Sequence, residues 1–246
     1  MKHPIAIEKK ITAKVNSTIF KYQLVSHNDK VLVGLSGGKD SLALIKLLEW
    51  FRRHSNIDFE LSAVFVDVQN IPYQADIVYL KQFCEEHRVR FIHHIVNDNT
   101  DYRESDKNPC FHCSWSRRKH LFALAEKLEY NKLALAHHLD DAVETLMMNM
   151  MFQANISALP PVLKMFNGDL FLIRPLIETK ESIIEDYAEV MGFKKMLKTC
   201  PFEKISSRQF ARNILNQMEN KYDRAKYNIF KSMSNINPEY LPTLSD

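Results

Sequence analysis

The stretch Val31-Leu32-Val33-Gly34-Leu35-Ser36-Gly37-Gly38-Lys39-Asp40-Ser41 decides how this chain is read. An apolar run ends in a loop of small residues, and the loop opens an apolar-periodic segment from Leu42 to Trp50. That order is a buried strand, a phosphate loop and a helix. Gly37 and Gly38 let backbone N–H groups turn inward with no Cβ in the way. Such a nest at a helix N-terminus holds an anion, and Lys39 adds a full positive charge. The chain has five glycines, and Gly34, Gly37 and Gly38 are three of them. An ordinary tight turn would leave Lys39 and the hydroxyls of Ser36 and Ser41 as coincidence.

Two better-known phosphate loops are excluded. The Walker A pattern needs Gly where Val33 stands and Ser or Thr where Asp40 stands. The dinucleotide fingerprint fails at Ser36 and Ser41.

Outward from the loop, strands and helices alternate. On the N-terminal side, residues 5–28 are expected to form an amphipathic helix with Ile5, Ile7, Ile11, Val15, Ile19 and Phe20 on one face. Lys9, Lys10, Lys14 and Lys21 are scattered over the remainder, as on a solvated helix rather than an RNA contact. On the C-terminal side, Phe59 to Val66 reads as a second strand ending at Asp67, at the sheet edge where α/β folds bind ligands. A helix is expected over 76–87, with Cys84 on its apolar face beside Ile77 and Leu80, a packing position. Phe91 to Val96 is a third strand and Leu133 to Ala136 a fourth. This alternation predicts an α/β fold with a doubly wound parallel sheet and flanking N- and C-terminal helices.

Three further groups carry chemistry. A polar loop over 97–109 delivers Cys110-Phe111-His112-Cys113, then Ser114-Trp115-Ser116-Arg117-Arg118-Lys119 and a helix to about Tyr130. Thiols near a helix N-terminus and cations have lowered pKa values, so both cysteines suit a ligand or a nucleophile. At the end of the fourth strand stand His137, His138, Asp140, Asp141 and Glu144. Carboxylates there also serve as caps and dipole partners, but the His pair beside them favours a site. Met147, Met148, Met150 and Met151 follow at a spacing expected for core packing. Beyond Pro160-Pro161 come a short strand, Phe171 to Ile173, then Arg174-Pro175-Leu176, and a helix with Thr179 as its cap. Thr199-Cys200-Pro201 lies in a loop, and helices over about 206–219 and 223–236 end the chain. The expected domains are an N-terminal helical segment (1–29), a domain carrying the phosphate loop (30–200) and a C-terminal helical extension packed on it (201–246).

Composition narrows the classes. With 246 residues, 46% hydrophobic and 26% charged, the chain has the make-up of a globular α/β protein. No apolar run reaches the length of a membrane span, and Met1-Lys2-His3-Pro4 is followed by no signal-peptide core. No membrane partner is expected, and the cytoplasm is the default. A net charge of +3 is too mild to establish nucleic-acid binding by itself. Four cysteines, two of them as Cys-x-x-Cys, point to metal, cluster or redox chemistry rather than a disulfide framework.

Ser36-Gly37-Gly38-Lys39-Asp40-Ser41 resembles the PP-loop of the N-type ATP pyrophosphatases, whose fold is that of the adenine nucleotide alpha hydrolases. The whole ordered set, PP-loop, Cys-x-x-Cys, His-His-x-Asp-Asp, Arg-Pro-Leu and one late Cys, resembles the tRNA 2-thiocytidine synthetase (TtcA) family over roughly residues 8–240. The resemblance implies ATP, Mg²⁺ and a tRNA substrate, a sulfur donor (a cysteine desulfurase or free sulfide) and often a homodimer. It implies ATP binding at Leu35, Ser36, Gly37, Gly38, Lys39, Ser41, Asp67, His137, Asp140 and Asp141. Lys39 and Asp40 would be catalytic. Cys110, Cys113 and Cys200 would be catalytic as the three ligands of a [4Fe–4S] cluster, leaving one iron free to bind sulfide. The base carbonyl would be adenylated with pyrophosphate release, and sulfur would then displace AMP. Two departures, Ala136 before the His pair and no second Cys close after Cys200, leave cytidine and uridine both open as the target base. Three alternatives are a lysidine-synthetase-like ligase, a cluster-free persulfide thiolase using Cys110 or Cys113 with Cys200, and a zinc- and nucleotide-binding protein with His112 or His120 as a ligand. Arg117, Arg118 and Lys119, next to the cysteine pair, are the expected tRNA contacts.

Overall fold

The computed structural model describes residues 3–69, 75–97, 109–194 and 207–242, with the backbone alone at 109–115 and 167. By its internal packing the chain divides into two compact units, residues 1–138 with 160–204, and residues 139–159 with 205–246.

The first unit is built on six strands: β1 (Lys30–Gly34), β2 (Glu60–Val68), β3 (Arg90–Val96), β4 (Lys132–Ala134), β5 (Val162–Met165) and β6 (Leu170–Ile173). Their order is β3-β2-β1-β4-β6-β5. All neighbours are parallel except β5 and β6, which are antiparallel, Leu163 opposite Leu172. The parallel expectation therefore holds for five strands, and β5 is an antiparallel edge strand that the sequence did not announce. It follows Pro160-Pro161 directly and has four residues, too few for a period of two to stand out.

Helices cover both faces of this sheet. On one face α1 (Pro4–Tyr22), α2 (Lys39–His54), α3 (Ile77–Glu86) and α6 (Glu181–Val190) share a core with Val31, Val33, Ala63 and Phe65. On the other, α4 (Pro109–Lys127) places Leu121, Leu124 and Ala125 against Leu32, Val64, Val66 and Leu133. Alternate residues of β1 and β2 thus serve opposite cores, which is why Val31-Leu32-Val33 and Ala63-Val64-Phe65-Val66 are continuous apolar runs.

Local chemistry sets the helix ends. Pro4 starts α1, where its fixed φ is already helical. The helix stops at Tyr22, earlier than the expected 28, because Gln23 turns left-handed (φ 51°) and its N–H closes on Ile19 and Phe20 carbonyls. Ile11, Val15 and Ile19 recur every fourth residue and are buried, each contributing about 1.5–3 kcal/mol of apolar burial. Asp76 caps α3, its carboxylate accepting from Tyr79 N–H at 3.0 Å. The cap of α6 is Lys180, without a side-chain bond. Thr179, the expected cap, is fully buried, one position too early.

Buried Glu178 ties α1 to the segment before α6. It accepts from Lys14 Nζ (2.7 Å), Tyr22 Oη (2.8 Å) and Lys21 Nζ. Two of the four lysines expected on a solvated surface are therefore structural.

The second unit consists of α5 (Leu139–Gln153), α7 (Ser207–Lys221) and α8 (Ala225–Ser232). The boundary expected at 200/201 does not coincide with this division, since α5 groups with the C-terminal helices. Lys226 of α8, 6% exposed, donates to Asp140 (2.7 Å) and Asn216 (2.9 Å) and pairs with Glu219 (2.8 Å). The methionines of α5 differ from expectation, with Met150 48% and Met151 37% exposed. They follow the buried first turns of the helix, where Leu139, Ala142, Val143 and Leu146 supply the apolar contact.

Candidate functional site

Residues 35–41 join the carboxyl end of β1 to α2 and form a loop tied by its own hydroxyls. Ser41 Oγ donates to the Gly38 carbonyl (2.9 Å) and accepts from Ser36 N–H (3.2 Å) and Ser36 Oγ (3.1 Å). Ser36 Oγ in turn accepts from Gly38 N–H at 3.3 Å. Two glycines make this path possible. Gly37 has φ 82°, a left-handed conformation that side chains resist. A Cβ on Gly34 would lie 2.9 Å from Leu135 Cδ2 and 3.0 Å from Leu121 Cδ2, so the strand end has no room for one. Gly38 is the N-cap of α2, in extended conformation, so the first N–H groups of that helix are directed into the loop.

Lys39 is the first residue of α2, and its ammonium is held by carboxylates. Glu181 Oε1 lies 2.9 Å away, Asp40 Oδ1 3.1 Å and Glu185 Oε1 3.9 Å. Burial pulls the Lys39 pKa down, but the Glu181 hydrogen bond and the Asp40 and Glu181 charges outweigh it and raise it. Glu181 also lies 4.0 Å from His138 Nε2, whose side chain is 5% exposed. Glu181 and Glu185, both on α6, were missed by sequence reasoning. Nothing local marks them, and only the fold brings residue 181 to residue 39.

His137 accepts at Nδ1 from Arg174 Nε (3.3 Å). An arginine only donates, so the neutral ring carries its proton on Nε2. Arg174, 4% exposed, also donates to the Pro160 carbonyl at 2.5 Å. Burial brings its pKa down to about 10, still charged at neutral pH. The Arg of Arg-Pro-Leu is thus a holder for the His of the expected site. Asp67, at the carboxyl end of β2, is half-buried and bonded to His93 Nε2 at 3.0 Å.

Asp140 and Asp141 belong to the second unit, in the first turn of α5. Asp140 is paired with Lys226, Asp141 with Arg208 (3.4 Å), and Glu144 with Arg208 (3.1 Å) and Arg212 (2.6 Å). These three carboxylates therefore have structural partners on α7 and α8, which the sequence reading did not foresee.

Cys110 and Cys113 are the second and fifth residues of α4, one helical turn apart, inside the helix rather than in the loop expected to precede it. Cys200 lies outside the described residues. Cys84 is fully buried, and burial with the Glu85 charge pushes its thiol up to about 12. It is a packing residue, as expected. Among the described residues, no helix is long and apolar enough to cross a membrane.

A parallel α/β sheet whose first strand feeds a Ser-Gly-Gly-Lys-Asp-Ser loop into a helix N-terminus defines a PP-loop protein, and residues 6–219 match the PP-loop domain family. The chain is 33% identical over 242 residues to the tRNA-cytidine(32) 2-sulfurtransferase of Geobacter sulfurreducens, spanning 95% of this chain and 92% of the relative. It is 35% identical to the tRNA-cytidine(32) 2-sulfurtransferase of Janthinobacterium sp. (strain Marseille), over 96% of this chain and 75% of the relative. The chain belongs to this family of PP-loop tRNA sulfurtransferases, which are enzymes. The structure is also similar to that of the U34-tRNA thiolase NcsA from Methanococcus maripaludis, solved with its [4Fe–4S] cluster. There the TM-score is 0.78 and the identity 26%, over 96% of this chain and 80% of that one.

Proposed function

We propose that the protein replaces the 2-oxygen of a tRNA cytidine by sulfur, using ATP to activate the carbonyl and a [4Fe–4S] cluster in the sulfur transfer. The observation that carries the ATP half is the loop at 35–41, with Gly37 left-handed and Lys39 opening α2. A base carbonyl is a poor electrophile until its oxygen is adenylated. The backbone N–H groups of the loop, the α2 N-terminus and Lys39 would hold the β- and γ-phosphates as the α–β bond breaks, stabilising charge on the departing pyrophosphate. Mg²⁺ would arrive with those phosphates, bound mainly through them, with Asp40 the carboxylate next to Lys39 in the chain. Asp67 and His137, at the carboxyl ends of β2 and β4, would meet the nucleoside end. His137 would act through its Nε2–H, because Arg174 occupies Nδ1.

For the sulfur half, Cys110, Cys113 and Cys200 would hold the cluster. The donor chemistry fits, since thiolates are the usual ligands of iron–sulfur centres. A cluster held by three thiolates keeps one iron without a protein ligand, open to the sulfur to be transferred. The identity to curated tRNA-cytidine(32) 2-sulfurtransferases supports cytidine over uridine as the target base. The test is product analysis of anaerobic turnover with ATP, tRNA and sulfide. AMP and pyrophosphate are expected, and ADP with phosphate would exclude the PP-loop chemistry.

A further inference from the structure

We infer that Glu181 is a built-in substitute for the nucleotide's phosphates, a carboxylate that holds Lys39 while the loop is empty and passes to His138 when pyrophosphate or ATP arrives. The inference rests on the loop being the pyrophosphate site. Three carboxylates surround one ammonium: Glu181 at 2.9 Å, Asp40 at 3.1 Å and Glu185 at 3.9 Å. Summed over one cation and three anions, the cluster carries about −2, which opposes a further polyanion. A loop built to receive phosphates therefore has to clear a carboxylate from Lys39. Asp40 is the neighbour of Lys39 in sequence and stays beside it. Glu185 is 58% exposed and at the limit of an ion pair, so solvent screens it. Glu181 makes the short hydrogen bond and is the one that competes.

Two features allow Glu181 to leave without losing its charge. It is the first residue of α6, where the helix dipole stabilises a carboxylate. His138 Nε2 already lies 4.0 Å away with its side chain 5% exposed, so a small side-chain rotation would bring the carboxylate within hydrogen-bond reach of that ring. His138 ends the strand connection next to His137, which places the exchange between the phosphate loop and the histidine pair. Glu181 is thus a positioning residue: it keeps Lys39 charged and directed at the loop in the absence of nucleotide, and it sets a threshold that weakly bound anions do not pass.

The experiment is calorimetric titration of pyrophosphate, with and without Mg²⁺, into the full chain carrying Glu181→Gln, Lys39→Met or both. Glu181→Gln should bind pyrophosphate about tenfold more tightly, the scale of one charge-assisted hydrogen bond exchanged for a neutral one. The gain should vanish in the Lys39→Met background, because the competition acts through that ammonium. Glu181→Asp, which keeps the charge at the helix start but draws it back from Lys39, should give a smaller gain in the same direction, and it serves if Glu181→Gln does not fold. Unchanged or weaker binding in the Glu181 variants overturns the inference, and weakening confined to Mg²⁺ would make Glu181 a metal ligand instead. If Lys39→Met alone leaves pyrophosphate affinity unchanged, the phosphate-loop assignment itself has failed.

Discussion

Glu178→Gln gives a stability loss whose pH dependence can be worked out beforehand. The carboxylate is 4% exposed and accepts from Lys14, Lys21 and Tyr22. Burial alone would raise its pKa, but the three donors overcome that and bring it from 4.5 to about 2. A fall from 4.5 to about 2 is worth about 3 kcal/mol. Because the folded-state pKa is the lower one, this contribution is complete above the unfolded value of 4.5 and fades as pH falls towards 2. Glutamine cannot ionise, so the difference between the two proteins should be about 3 kcal/mol near pH 6 and about 1 kcal/mol near pH 3. Lys14 and Lys21 are 32% and 45% exposed, so they return to solvent in the variant and the loss stays below that of a fully buried orphaned charge. Both tryptophans of the chain, Trp50 and Trp115, lie in the first unit with Glu178, so urea titrations followed by tryptophan fluorescence report the relevant transition. A difference that does not change with pH, or one below about 1 kcal/mol at neutral pH, would refute Glu178 as the anchor of α1.

Other substitutions test separate parts of the molecule. Lys226→Ala leaves Asp140 buried without its cation and should destabilise the second unit by about 3–5 kcal/mol; calorimetry should find a smaller effect in the double variant Lys226→Met, Asp140→Leu, and equal effects would mean that the pair does not couple. Cys84→Ala should keep its iron content and thiolation activity, whereas loss of iron would make Cys84 a ligand rather than a packing residue. Reversing the charges of Arg117, Arg118 and Lys119 should weaken tRNA binding and lower its salt slope by roughly 0.7–0.9 for each RNA phosphate that is no longer neutralised; an unchanged slope would place the RNA on other cations.

The sequence disclosed what is local and hid what is distant. The loop at 35–41 was readable because its glycines, hydroxyls and lysine are close together in the chain, and the strand before it and helix after it follow from the same residues. Cys84 was readable because Ile77 and Leu80, at helical spacing from it, mark the apolar face, and Leu80 and Cys84 are buried. The partners of the ionised groups were not readable. Lys39 meets Glu181, Glu178 meets Lys14 and Lys21, and Asp140 meets Lys226, in each case across a long stretch of chain that only the fold closes. The same gap misplaced Met150 and Met151, since helical spacing marks an apolar stripe without telling whether a neighbour covers it. Strand β5 was hidden for a different reason, its pairing with β6 being set by the chain reversal at 166–169 rather than by its own pattern.

Nucleoside mass spectrometry of tRNA incubated anaerobically with the protein, ATP, Mg²⁺ and sulfide tests the central claim most directly. The wild-type chain is expected to yield a cytidine in which sulfur replaces the 2-oxygen, only with ATP present. The variants Lys39→Ala and Cys200→Ala should yield none, the latter while still binding ATP. A modified uridine in place of cytidine would contradict the assigned base. Thiolation that persists without ATP, or in Cys200→Ala, would contradict the coupling of the phosphate loop to a three-cysteine cluster.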